Sequence, residues 1–503
     1  MGFICLIVFW LGWHFGIYSL LKKAGVDGTK ALIPIYNTWE VVKLCQIPKF
    51  WFWIQLIPIL GQFVSLWISI LFVMHFKKVN LLQHTLTVLV PFIYLPYLGY
   101  SKEVKWYGSE ALVHYHKPAS REWIDAAVFA VVAATLIRTF IFEAYVIPTE
   151  SMEKTLLVND FLFVDKITYG ARIPQTPLSF PFVHNTLPGA PTTPSYVKWI
   201  QLDYNRLPKV REINRNDVVV FNFPAGDTII NDPDYGSKNP YYDVLRSPEF
   251  NGDREKLKAQ FPILVHPIDK TDNYIKRCVG IPGDIIQVKE SRLWVNGQPA
   301  YVAKDAQTEY VVVTDGKTLP EDFIEDSLGI SITEATSDFR VFDGKANTFL
   351  INMTAGAAES LKKLPQVLSV TNFVENTVGY TFPNDVLHFP FSVDNFGPIR
   401  IPKKGDVLYL NDSTIELYRR LITNYEHNTL VKVNDQYLLN DQPASTYTVK
   451  QNYYWMMGDN RHRSQDSRYW GYVPETHIVG RAALIWFSYN KSIRWNRLFN
   501  RIK

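Results

Sequence analysis

The feature that most constrains this chain is a sharp change of composition near residue 145. Up to that point Phe, Trp, Ile, Leu and Val dominate; beyond it the sequence is polar and rich in Pro, Gly, Asn, Asp and Tyr. A membrane part followed by a water-exposed part accounts for this division better than one uniform globule. At 503 residues the chain also exceeds what one hydrophobic core ordinarily organises, so several units are expected.

Four apolar stretches read as membrane spans. Phe3 to Leu21 is uncharged and is followed by Lys22 and Lys23. It lacks a basic leading region and a small-residue cleavage signal, so it reads as a retained span. Trp51 to Met74 carries no charge over 24 residues, enough for about 36 Å of helix, with Pro58 and Gly61 as places to kink. Leu81 to Tyr100 is weaker because of His84 and Pro91. The fourth, within 123–145, runs from Ile124 to Thr139 and on into Phe-Ile-Phe, with Asp125 and Arg138 at its ends. Lys22, Lys23, Lys30, Lys43 and Lys49 lie between spans one and two; Lys102, Lys105, Lys117 and Arg121 lie between three and four. Basic loops face the cytoplasm, which places everything after span four on the outer side. Lys77 and Lys78 run against this assignment. The region 1–122 reads as anchoring, with no site in it.

From Ile147 on, short apolar or alternating runs are broken by turn signals: 217–223, 285–288, 293–297, 407–410 and 437–440. They predict a mainly β catalytic region extending to about residue 490, followed by a basic tail over 491–503. The runs Leu293-Trp-Val-Asn-Gly-Gln-Pro-Ala and Tyr437-Leu-Leu-Asn-Asp-Gln-Pro-Ala echo one another, each with a turn pair suited to a tight hairpin. Asp412 to Asn424 predicts a helix, with Ser413 and Glu416 at capping-box spacing and Leu417, Leu421 and Ile422 on its apolar side. Thr354 to Lys363 predicts a second. The stretches 174–209, 227–270 and 303–389 read as insertions.

Composition narrows the function. A net charge of +4 with no dense Lys/Arg block argues against a nucleic-acid surface. Three cysteines, with Cys278 alone in the polar part, leave no disulfide there. No HExxH or CxxC occurs, so no metal or other cofactor is expected.

Three constellations carry chemistry. The first, Ile147-Pro-Thr-Glu-Ser-Met-Glu-Lys-Thr-Leu156, puts Ser151 just past the last span. In the second, Asn273 to Asp284, the residues Tyr274, Lys276 and Cys278 share one face of a strand. A lysine on a largely apolar strand loses hydration, its pKa falls, and its neutral amine becomes a base; the plainer alternative is an edge lysine reaching for water. The third, Met457 to Gly471, is a loop whose polar side chains can order it, with Asp466 braced by Arg463 or Arg468. No GxSxG elbow is present, but a triad drawing on His184, His266, His388, His427, His462 or His477 stays open from spacing alone.

In four blocks in register behind a membrane span the chain resembles bacterial type I signal peptidase (leader peptidase). These are Arg138-Thr-Phe-Ile-Phe-Glu into Ile147-Pro-Thr-Glu-Ser-Met, Asp160 to Ile167, Tyr274 to Asp284, and Gly458-Asp-Asn-Arg with Ser464, Asp466-Ser-Arg and Trp470-Gly-Tyr-Val-Pro. The resemblance implies an endopeptidase that removes signal peptides from secreted preproteins through a Ser/Lys dyad and an acyl-enzyme. Ser151 is then the nucleophile and Lys276 the base. Ser464 holds the amine, Thr149 and the Ser151 N–H receive the oxyanion, and Asp466 with Arg468 braces the site. Ile147, Leu156, Tyr274 and Ile275 line pockets for small residues, Ala-x-Ala. Glu150, Lys154, His462 and Arg463 depart from the family's commonest residues, and Thr149 keeps a hydroxyl where Ser is frequent. The insertions resemble an enlarged, Bacteroidetes-like form. The implied setting is the inner membrane, multi-pass, with the catalytic part on the periplasmic side, near the secretion translocase, and with preproteins and lipid as partners. A self-cleaving Ser/Lys regulatory protease and a catalytically silent preprotein-binding scaffold are the competing readings.

Overall fold

The structure is a computed structural model that describes residues 2–56, 60–113, 115–224, 228–232, 235, 239–332, 338–342 and 344–503. The chain forms two compact units, Met1–Leu136 and Ile137–Lys503.

The first unit is helical. The helix Gly2–Lys23 matches the first expected span and packs on Pro91–Tyr100. Small residues permit this approach: a Cβ on Gly16 would lie 2.4 Å from the Leu95 Cβ, and one on Gly99 would meet the Ser19 hydroxyl oxygen. Lys23 donates to the Leu98, Ser101 and Val104 carbonyls, satisfying and sealing the end of the partner helix. The second expected span is not one continuous helix. Phe50–Gln55 is followed by Leu60–Met74, and Pro58, where a kink was expected, lies outside the described residues. The third is bent by 119° between Leu81–Leu89 and Pro91–Tyr100, because Pro91 disfavours a helical Val90. Among the described residues, one helix, Ala119–Phe140, is long and apolar enough to cross a membrane, or two if the bent pair counts as one span. No residue of Ala119–Phe140 is buried.

The second unit is mainly β. Its central antiparallel sheet contains β1 (Phe142–Val146), β2 (Asp160–Asp165), β3 (Val218–Asn222), β4 (Asn273–Gly280), β5 (Tyr453–Met457), β6 (Val473–Pro474) and β7 (Ile478–Asn490). Their spatial order is β1-β2-β7-β3-β4-β5-β6. Strand β4 is therefore interior, with Lys276 paired to Val219 and Arg277 to Met457. The echoed segments are matching hairpins: Val295 pairs with Gln298 as Leu439 pairs with Gln442. Their turns place Asn296 and Gly297, and Asn440 and Asp441, at positive φ, the backbone that twists with the strands.

Two expectations at this level need correction. Between 412 and 424 the helix proper is Ile415–Arg420, continued by a wider turn over Leu421–Tyr425, and there is no capping box. Ser413 and Thr414 both donate to the Asn411 side chain, and Glu416 pairs with Arg419. The apolar side is nonetheless as expected, with Leu417, Leu421 and Ile422 buried. The segment 491–503 is not a free tail. Ser492–Ile493 and Asn500–Arg501 pair with β7, and Arg497 pairs with the fully buried Asp160.

The stretch 303–389 builds a sheet of its own. Its strands lie in the order Phe339–Val341, Thr348–Thr354, Gln307–Thr314, Val367–Asn372, around a separate core that includes Val312, Ile324, Ile351 and Leu361. The expected helix within it is Ala355–Leu361, capped by Thr354, whose hydroxyl accepts from the Ala357 N–H. Within 227–270 the helices Tyr241–Arg246 and Arg254–Gln260 share another small core around Ile230, Phe250 and Leu257.

Candidate active site

Ser151 lies in a short helical turn, Glu150–Met152, that follows the extended Thr149. Lys276 projects from the middle of β4, where strands on both sides exclude water. Both are buried, Ser151 to 7% and Lys276 to 3% exposure. Although 125 residues separate them, the Lys276 Nζ lies 2.7 Å from the Ser151 Oγ. The same amine donates to the Ile275 carbonyl at 2.9 Å. Burial pushes this amine down to about 8, although Asp466 and Asp459 pull the other way. The Thr149 Oγ1 is 3.4 Å from the Ser151 Oγ.

The 457–471 loop closes over the turn. The Asn460 N–H donates to the Ser151 carbonyl at 3.1 Å and its side-chain amide to the Glu150 carbonyl at 3.2 Å. Gly458 is required at this approach, since a Cβ there would lie 2.5 Å from the Ser151 carbonyl oxygen and 2.2 Å from the Ser464 Oγ. Asp466 and Arg468 form a bidentate pair, both contacts at 2.9 Å, and Asp466 also accepts from the Gly458 N–H. Burial alone would raise the Asp466 carboxyl, but Arg468 outweighs it and holds the group below its ordinary value.

Of the expected pocket residues, Ile147, Leu156 and Ile275 meet in one apolar cluster with Met152, Leu162 and Val218. Tyr274 does not join them. It stacks on Phe223, ring centroids 4.7 Å apart, and meets Trp470 edge-on, as the alternation along β4 requires. It shares a face with Lys276, whose amine lies 5.5 Å from its ring centroid. Ser464 is buried beside Gly458, where its hydroxyl helps hold the Asp466 carboxyl below its ordinary value; the hydrogen bonds described for the Lys276 amine go to the Ser151 hydroxyl and the Ile275 carbonyl.

Sequence reasoning missed a second buried ion pair. Arg277, next to Lys276 and on the other face of β4, makes a bidentate contact with Asp459 at 2.8 and 2.7 Å. Asp459 also accepts from Thr155 at 2.7 Å, joining β4, the loop and the segment after Ser151. The adjacent positions Lys276-Arg277 and Gly458-Asp459 in two already conspicuous motifs were the available signal. None of the hydrogen bonds described for the six histidines reaches Ser151. His462, the one that lies within the loop, bonds Asp394 at 2.8 Å. Among the described residues no group of three His, Cys, Asp or Glu is placed to hold a metal ion.

A buried serine in direct contact with a desolvated lysine is the arrangement of a serine-type protease that uses an amine as base. Comparison with known proteins agrees. The family described as signal peptidase, peptidase S26, matches residues 120–347 and 397–487, and the chain belongs to that family. It is a serine-type endopeptidase. Relatives include signal peptidase I of Buchnera aphidicola from Acyrthosiphon pisum, 24% identical over 379 residues, covering 73% of this chain and 77% of the relative. Signal peptidase I of Haemophilus influenzae is 24% identical over 388 residues, 75% of each chain. That of Pseudomonas aeruginosa is 22% identical over 365 residues, 70% of this chain and 68% of the relative. Residues 29–109 match a family of unknown function (DUF5684).

Proposed function

We propose that the chain removes N-terminal signal peptides from secreted preproteins, with Ser151 as nucleophile and Lys276 as general base. The observation that carries this reading is the 2.7 Å contact between the Ser151 hydroxyl and a buried amine whose pKa falls to about 8. The Ile275 carbonyl takes one amine N–H, which leaves the lone pair of the neutral amine facing the Ser151 hydroxyl. Lys276 takes that proton as the Ser151 Oγ attacks the scissile carbonyl carbon. The negative charge on the carbonyl oxygen is met by the Thr149 hydroxyl and the Ser151 N–H. The intermediate collapses, the C–N bond breaks, and the new amine of the mature protein leaves with the proton that Lys276 returns. Lys276 then deprotonates the water that frees the signal peptide from Ser151.

Ile147, Leu156 and Ile275 line the pocket for small residues before the cleavage site. Tyr274 stands beside the amine as a wall, and Asp466 and Arg468 keep the loop rigid. The first 122 residues anchor the chain by several spans in the inner membrane. Nine basic residues on the cytoplasmic side set the catalytic part on the periplasmic side, near the translocase. Ser151 follows the end of Ala119–Phe140 by only eleven residues, which supports chemistry at the bilayer surface, where a signal peptide emerges. The large insertions are read as those of an enlarged, Bacteroidetes-like form.

The test is processing of a preprotein with an Ala-x-Ala site by the full chain. Wild type is expected to yield the mature protein and Ser151→Ala only precursor; equal processing by both rejects the assignment.

A further inference from the structure

The inserted sheet does not stand clear of the nucleophile. On one side, Lys154, three residues after Ser151, donates to the Gly329 carbonyl at 2.5 Å. Lys154 holds a left-handed backbone, φ +69°, which a lysine keeps only where its surroundings impose it. On the other side, Arg463 bridges the turn and the insertion, reaching Glu150 at 3.1 Å and Asp338 at 3.0 Å. Asp338 is itself fixed: it accepts from the side-chain amide of Asn352, a buried residue on the adjacent strand, at 3.1 Å. The neighbouring His462 takes a second carboxylate, Asp394, and accepts from the Glu309 N–H at 3.1 Å. Backbone bonds complete the seam, from the Gln307 N–H to the Asp459 carbonyl and from the Arg461 N–H to the Gln307 carbonyl, both at 2.9 Å. Asn352 and Asp394 fall in 348–396, between the two stretches that match the family, whereas Gln307, Glu309, Gly329 and Asp338 lie inside the first of those stretches.

We propose that this sheet of residues 307–372 is a positioning device for the Ser151 turn, and that Arg463 is the positioning residue through which it acts. The inference rests on Ser151 being the nucleophile. Glu150 and Lys154 flank Ser151, and each is tied to the insertion from a different side. Together with Asn460, which grips the Ser151 and Glu150 carbonyls, these ties fix the height of the serine against the Lys276 amine. Arg463 lies outside the apolar cluster of Ile147, Leu156 and Ile275, so it acts on the chemical step and not on pocket affinity.

A displacement of about 1 Å at a nucleophile costs on the order of 100-fold in rate. The full chain in detergent, cleaving a peptide with an Ala-x-Ala site, provides the test. Arg463→Ala is expected to lower kcat by about 10- to 100-fold with KM little changed. The pH limb of the lysine should move to higher pH, because a looser turn admits water to the amine. Arg463→Lys, which keeps a charge between Glu150 and Asp338, should recover part of the loss. Unchanged kcat and pH limb in Arg463→Ala would overturn the proposal. So would a loss that follows melting temperature alone with the limb unmoved. If Arg463→Ala does not fold, Asp338→Asn, nearly isosteric, takes its place under the same criteria. Ser151→Ala separates the two readings. If it still cleaves, the nucleophile assignment fails and the proposal with it; if it is inactive while the Arg463 variants behave as wild type, only the positioning role fails.

Discussion

Lys276 and Arg277 are neighbours in sequence with opposite electrostatic fates. Arg277 keeps its charge because Asp459 meets it in a bidentate contact. Among the described residues Lys276 has no carboxylate in contact and faces a hydroxyl, so burial lowers its pKa from 10.5 to about 8. If the neutral amine is the base, cleavage rate should rise through about 8 as pH increases, and Lys276→Met should abolish it while the chain still folds. A pH–rate profile with no ionisation lost in an active Lys276 variant would refute this. The same shift affects stability. Between about 8 and 10.5 the folded chain binds fewer protons at this site than the unfolded chain, so its contribution rises with pH across that window. Melting curves of Lys276→Met should lack that rise. Removing one partner of the other pair, as in Asp459→Ala, strands a buried guanidinium and should cost about 3–5 kcal/mol in denaturant unfolding.

At the scale of elements, the site is made where an interior strand, a short turn and a loop converge. Strand β4 was legible from alternation, and so was the common face of Tyr274 and Lys276. The loop's dependence on Gly458 was not, because it comes from the close approach of the Ser151 carbonyl, which is distant in sequence, and from the way the loop folds Ser464 back. Gly458→Ala should therefore reduce activity and melting temperature together, measured on one preparation. The turn after Ser151 also holds a group tuned by its neighbours. Burial, with Glu150 and Asp338 adding to it, raises the Glu153 carboxyl from 4.5 to about 7, against the pull of Lys154. The folded chain thus holds this proton more tightly, and the stability it contributes falls as pH rises from 4.5 toward about 7. Glu153→Gln should raise the melting temperature more above that window than below it.

For the whole molecule, the boundary between the two compact units at 136/137 falls inside the helix Ala119–Phe140. The signal peptidase match begins at residue 120, and the match over 29–109 is to a separate family. The two therefore read as a protease that begins with its own apolar helix, preceded in sequence by a helical unit matching a separate family. A chain lacking residues 1–109 is expected to insert and to cleave a preprotein in vesicles; loss of cleavage with intact folding would show that the helical unit takes part in the reaction.

What the sequence determined by itself was whatever local periodicity and residue type can encode: the division into apolar and polar parts, the β character of the second, the paired hairpins, and Ser151 and Lys276 as candidate residues in two conspicuous motifs. Partnerships across long stretches of chain were decided only in three dimensions. Arg277 joins Asp459; the segment 491–503 packs on β7, with Arg497 on Asp160; and Arg463 links the Ser151 turn to Asp338. The physical reason is common to these ion pairs. A charge or hydroxyl that folding removes from water must take whatever partner the packing brings within about 3 Å. Which partner that is depends on how the sheets meet, and no spacing along the chain records it.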